Sequence, residues 1–216
     1  MRAHTLLHTL LDVLFPPSAR ALRVRSLSAG HLPVSFETHS PLGEEISSCM
    51  PYADSRVRDL IWMLKYRRLP AAAALCADAL ADVVGEMIAD ERAFSDKTIL
   101  LIPVPLSKKR LRERGFNQVE DILHILPERL PDTSRVSIGT DIVVRARHVP
   151  PQTSLARSER LKNVRGVFSV QNEAMLKKTR VFLFDDVTTT GATLTEAART
   201  LKKSGALVTC IALARA

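Results

Sequence analysis

The sequence predicts an α/β fold, a mostly parallel twisted sheet flanked by helices, with a small N-terminal appendage. Three observations carry this. The run from Thr98 to Val104 (TILLIPV) is apolar on both faces, as a strand at the centre of a parallel sheet must be. Arg180 to Phe184 repeats that character, and a helix over Thr193 to Lys203 with a strand over Leu207 to Leu213 completes a βαβ unit. Helices and strands alternate from Asp54 onward, the order required by a sheet covered on both faces.

The elements follow in chain order. Leu6, Leu7, Leu10, Leu11 and Leu14 fall at helical spacing and Pro16-Pro17 ends the run, which reads as an amphipathic helix rather than a signal peptide. Residues 18–50 lack a period and are rich in Ser, Pro, Gly and His, so residues 1–50 form the appendage and 51–216 the main domain. Asp54 or Ser55 caps a helix with Val57, Leu60, Ile61 and Leu64 inward, and a second helix runs from Ala71 to Ala89. After TILLIPV come a basic loop and a helix around Phe116 to Leu126, with Phe116, Val119, Ile122 and Leu123 inward. Ile142 to Arg145 and Val167 to Val170 are short strands on either side of a polar stretch, and Ser204-Gly205 stops the last helix.

Composition narrows the function classes. A chain of 216 residues suffices for one α/β domain with a full core. No apolar run reaches the length of a membrane span, and the expected setting is the cytoplasm. Cys49, Cys76 and Cys210 make neither a CxxC pair nor a disulfide framework, so they offer no zinc site. The net charge of +8 favours anionic partners such as nucleotides, pyrophosphate or nucleic acid, or else serves solubility alone.

The chemistry concentrates in VFLFDDVTTTGAT, Val181 to Thr193. In a parallel sheet, ligands bind beyond the carboxyl ends of the strands. Asp185 and Asp186 stand there, and two adjacent carboxylates at a buried strand end repel each other and are costly to desolvate. A ribose supplies a reason for them, because its 2′ and 3′ hydroxyls are neighbouring donors. Val187, Thr188, Thr189, Thr190, Gly191, Ala192 and Thr193 then open a helix with small and hydroxylated residues. Free backbone N–H groups and the positive helix end make that turn a phosphate cradle, and Gly191 admits close backbone approach. Together these describe a site for ribose 5-phosphate. The alternative is a helix cap preceded by two solvated acids. No GK[ST] follows the glycine, which excludes a P-loop.

This stretch resembles the phosphoribosyl pyrophosphate (PRPP) motif of type I phosphoribosyltransferases. More narrowly, the chain resembles the ComF/GntX group, named for competence and DNA uptake. Four further segments carry the resemblance: LLDVLFPP (Leu10 to Pro17), DLIWMLKYRR (Asp59 to Arg68), IPVPLSKKRLRERGFNQ (Ile102 to Gln118) and QTSLARSERLKNVRGVF (Gln152 to Phe168). The resemblance implies a type I phosphoribosyltransferase fold and transfer of a phosphoribosyl group from PRPP to an acceptor. Mg²⁺ would be held mainly through the PRPP oxygens. It also leaves open a non-catalytic protein that binds ribose phosphate or single-stranded DNA in DNA uptake or processing. Members of the group usually carry a four-cysteine zinc module before the core domain. Residues 18–48 here contain no cysteine, so no zinc is expected.

The resemblance makes Asp185 and Asp186 catalytic and Val187 to Thr193 the 5′-phosphate site. It assigns the pyrophosphate to the basic loop with Val104, Pro105, Lys108, Arg110 and Arg114. Arginine there offers bidentate donors, and any single cation could equally be a solvated charge. Asn117 and Gln118 start a helix facing the site, and Phe116 reads as core. Lys65 is either a ligand contact or an ordinary cation favoured by a helix C-terminus. The polar stretch with Gln152, Thr153, Arg157, Arg160 and Arg165 corresponds to the flexible loop that closes over the reacting centre.

Overall fold

The computed structural model describes residues 18–94, 98–145 and 166–216. The expected helix over Leu6 to Leu14 and the flexible loop over 152–165 lie outside them. In chain order the structure has α1 (Ala19–Arg25), β1 (Glu37–His39), β2 (Ile46–Pro51), α2 (Ser55–Arg67), α3 (Pro70–Phe94), β3 (Ile99–Pro103), α4 (Lys108–Arg114), α5 (Gln118–Ile125), β4 (Val136–Ile138), β5 (Val143–Arg145), β6 (Phe168–Val170), β7 (Arg180–Thr188), α6 (Ala192–Lys203) and β8 (Leu207–Arg215).

The main sheet has strand order β1-β2-β8-β7-β3-β4. Every pairing in it is parallel except β1 with β2, so the expected α/β class with a mostly parallel sheet holds. β7 is central, flanked by β3 and β8. Its side chains alternate between the two sheet faces. Phe182 and Phe184 bury against a core that includes Leu60, Leu64, Leu80 and Ile122 from α2, α3 and α5. Val181 and Leu183 bury on the opposite face with Val143, Phe168, Leu194 and Leu201.

Local chemistry explains the helix ends that matter for the site. The Asp54 side chain accepts the Arg56 N–H at 2.8 Å and starts α2. Arg68, left-handed at φ 46°, stops it. Asn117 caps α5 by accepting the Val119 N–H at 3.1 Å, while its Nδ2 donates to the Val104 carbonyl at 3.2 Å. That second bond ties the start of α5 to the end of β3.

Several local expectations differ from what the fold contains. Residues 107–114 form helix α4 rather than a basic loop; Ser107 caps it and no α4 residue is buried, so it has no apolar stripe to read. β2 was hidden by its polar Ser47 and Ser48, yet it pairs with β8 along Ile46–Pro51. The boundary read between residues 50 and 51 therefore falls inside β2. β5 and β6 pair with each other, antiparallel, as a separate two-stranded sheet. Three-residue β4 went unread because a strand that short has no measurable alternation.

Candidate functional site

β7 runs four residues beyond its apolar VFLF core, to Thr188, and carries both acids towards the carboxyl end of the sheet. Alternation sends them to opposite faces. Asp186 continues the row of Phe182 and Phe184 and is buried. Lys65, near the end of α2, puts its Nζ 2.9 Å from Asp186 Oδ1. Gln118, the first residue of α5, donates from Nε2 to Asp186 Oδ2. Arg114 in turn donates to Gln118 Oε1 at 3.0 Å. Lys65, Arg114, Gln118 and Asp186 thus form one chain of contacts across four elements. Lys65 is bound to the acid rather than waving at a helix end.

Asp185 is half-buried on the other face. Its Oδ1 accepts the Asp186 N–H at 2.8 Å. Burial, and then the charge of Asp186, push its pKa up to about 7, against the pull of that N–H, Lys65 and Arg110. A half-buried carboxyl held near neutrality by its surroundings is one whose ionisation a nearby donor or cation would favour.

The turn after β7, read above as a phosphate cradle, joins the strand to α6. Thr188 is buried, and its carbonyl accepts the Ala216 N–H at 2.9 Å. Thr189 is exposed, and Thr190, Ala192 and Thr193 are half-buried. Gly191 sits at the N-cap of α6, where it has no side chain with which to cap the helix, and no acid occupies the first turn. The first N–H groups of any helix lack intrahelical partners, so this end remains a donor site. The fold itself also requires Gly191. Its φ is +74°, and an added Cβ would lie 2.7 Å from both Ile46 Cδ1 and Pro41 Cγ. Glycine here lets residues 41–46 press onto the turn.

Of the pyrophosphate candidates, Val104 is buried and donates its N–H to the Phe184 carbonyl at 2.8 Å, which locks the end of β3 beside Asp185. Pro105 is half-buried next to it. Lys108 and Arg110 are exposed on α4, and Arg110 is close enough to act electrostatically on Asp185. Arg114 belongs to the Asp186 side through Gln118. Gln152, Thr153, Arg157, Arg160 and Arg165 lie outside the described residues.

Three features escaped the sequence reading. Arg145, read only as the end of a strand, interacts electrostatically with Asp185 and Arg110. Glu196 is buried on α6 and accepts the Gly166 N–H at 2.6 Å while pairing with Arg199 at 2.5 Å. Phe116, expected in the core, is instead half-buried beneath the Arg68 guanidinium, 5.0 Å from its ring centroid. Nearby, Trp62 and Tyr66 lie 5.4 Å apart, with Arg20 4.5 Å over Trp62 and Arg114 5.4 Å over Tyr66. No sequence period announces such a cluster, because the aromatics and cations come from separate helices.

Among the described residues no group of three or more His, Cys, Asp or Glu is arranged to hold a metal, and no helix is long and apolar enough to cross a membrane. Cys49 is a core thiol that points at the Ala79 carbonyl, 3.6 Å away, and burial pushes it up to about 12.

Comparison with known proteins bears on this constellation. The chain is 36% identical over 108 residues to Competence protein F of Haemophilus influenzae. It is 36% identical over 114 residues to Competence protein ComFC of Bacillus subtilis. It belongs with the ComF-type proteins. DNA utilization protein YhgH of Escherichia coli is 30% identical over 148 residues, 68% of this chain and 61% of that protein. The two competence proteins align over 49% and 53% of this chain. Those alignments span less than half of each relative, 44% and 42% of their lengths. No protein-family model matches the chain. This ComF-type chain departs from the group's usual pattern in having no cysteine cluster before its core domain.

Proposed function

We propose that this ComF-type protein binds PRPP and transfers its phosphoribosyl group, with Mg²⁺, to an acceptor. The observation that carries the reading is the run of Asp185 and Asp186 at the end of β7 into the uncapped N-terminus of α6. The two acids would accept from the ribose hydroxyls. Asp186 would do so from an orientation held by Lys65 and Gln118, and Asp185 as a carboxyl whose ionisation a bound cation favours. The α6 turn, Thr188 to Thr193, would take the 5′-phosphate through backbone N–H and threonine hydroxyls. The donor set fits Mg²⁺ only as an ion carried by the ligand, because two carboxylates on opposite faces do not form a cage. When bound, Mg²⁺ would neutralise the departing pyrophosphate. Arg110 would add charge beside it, and the anomeric C–O bond would break as the bond to the acceptor forms.

Calorimetric titration of PRPP with Mg²⁺, comparing wild type with Asp185→Asn/Asp186→Asn, tests this. Wild type should bind and the double variant should lose at least about tenfold in affinity, the scale of a charged hydrogen bond. Equal binding by both, or none by wild type, overturns the reading. Pyrophosphate release measured across a panel of bases and amines would identify the acceptor.

A second reading, single-stranded DNA binding in uptake or processing, is favoured by the tilted Trp62–Tyr66 pair and its arginines. Stacking aromatics between guanidiniums is how proteins hold unpaired strands without sequence preference. Tyr66 is 58% exposed, so its ring is available to a base. Because the chain has a single tryptophan, quenching of Trp62 fluorescence by an oligothymidylate reports on this face directly. Quenching that weakens steeply with salt supports the reading; unchanged fluorescence at low salt removes it.

A further inference from the structure

The alternation of β7 that carries Asp186 to Lys65 also carries Asp185 to the face where the two-stranded β5–β6 sheet packs. On β5, Val143 and Arg145 share one side by the same two-residue period. Val143 is buried in the core below Asp185, so Arg145 extends that side towards the carboxyl edge of the sheet. In the ladder Arg145 stands opposite Phe168, and its guanidinium lies 5.5 Å from that ring's centroid. A flat cation held against an aromatic face has a defined plane.

Arg145 lacks what a half-buried arginine needs. Its Nε is buried with no hydrogen-bond partner among the described residues. Its electrostatic neighbours are a second guanidinium, Arg110, and the carboxyl of Asp185. Burial, and then Arg110, lower its pKa. Two guanidiniums converging with an unused buried donor disfavour the bare protein. An anion with several oxygens relieves both costs at once, because each guanidinium can give it two parallel donors.

We infer that Arg145 is a pyrophosphate-binding residue, paired with Arg110 across Asp185. The assignment rests on the phosphoribosyl reading above for the identity of the ligand. The 5′-phosphate would occupy the α6 turn beyond β7, and Asp185 would mark the ribose. Arg110 comes from α4, which follows β3 on the other side of that carboxyl, so the cation pair meets the end of the ligand remote from the 5′-phosphate. The aromatic stack under Arg145 would hold its donors in place before the ligand arrives.

The test is calorimetry of PRPP, ribose 5-phosphate and inorganic pyrophosphate, each with Mg²⁺, on wild type, Arg145→Lys and Arg145→Met. Arg145→Met keeps an apolar stem over Phe168. It should weaken PRPP and pyrophosphate by about tenfold or more while leaving ribose 5-phosphate within about twofold. Arg145→Lys should fall between, since an ammonium neither stacks flat nor donates in parallel. Unchanged ribose 5-phosphate binding doubles as evidence that the fold is intact. PRPP bound equally by wild type and Arg145→Met, or all three ligands weakened alike, would overturn the arginine assignment alone. Pyrophosphate binding that depends on Arg145, without PRPP or ribose 5-phosphate binding by wild type, would support the anion site and sink the phosphoribosyl reading. A wild type that binds none of the three overturns both.

Discussion

Asp185 and Asp186 are neighbours in sequence and opposites in environment. Asp186 is buried in a closed polar network, with Lys65 at 2.9 Å on one oxygen and Gln118 on the other. Among the described residues Asp185 accepts just the backbone N–H of its neighbour, and burial and the Asp186 charge push its pKa up to about 7. One acid has side-chain partners on both of its oxygens, and the other has no such side-chain hydrogen bond among the described residues. The contrast teaches that a two-acid motif need not act as a symmetric pair. The alternation of one strand splits it into a positioned anchor and a responsive group.

The largest expected effect comes from breaking the anchored side. Lys65→Met leaves the Asp186 carboxylate buried without its cation and should cost about 3 kcal/mol of stability in urea denaturation. Adding Asp186→Leu should recover most of that loss, since removing both charges removes the unpaired one. A single-variant loss below about 0.5 kcal/mol would mean that the pair behaves as a surface ion pair. Gln118→Leu removes the second partner and leaves Arg114 without its acceptor; about 2 kcal/mol should be lost, a step down because the cation remains.

The responsive side should behave in the reverse sense. The folded pKa of Asp185 lies above its unfolded value, so ionisation opposes folding. The penalty is absent below about pH 4, grows as pH rises towards 7, and is constant above. Asp185→Asn should therefore raise the melting temperature at pH 8 and leave it unchanged at pH 4. An Asn variant that is less stable at pH 8 would show that Asp185 is an anchor too. The smallest effect belongs to the exposed aromatic face. Tyr66→Ala should change stability by less than about 0.5 kcal/mol, so any larger loss would make Tyr66 part of the fold rather than a contact surface.

The strands and helices with strong periods were legible: TILLIPV became β3, VFLF the core of β7, and Val57, Leu60, Ile61 and Leu64 the buried face of α2. Elements without a period were not. Leu111 is 47% exposed on α4, and β2 and β4 are too polar or too short to announce themselves. At the site, Asp185, Asp186 and the threonine turn could be read because their chemistry is contiguous. Arg145 could not, since nothing nearby in sequence distinguishes it from the end of an ordinary strand.

The nature of the edge, two acids beside a helix opening and a supply of cations, thus follows from residues within a few positions of one another. Which cation serves which acid does not. Lys65 is 121 positions from Asp186, and Arg145 is 40 from Asp185. Those assignments come from strand pairing and from the side-to-side alternation of β7. Both depend on register, and register is set by how the two apolar faces of the whole sheet are buried.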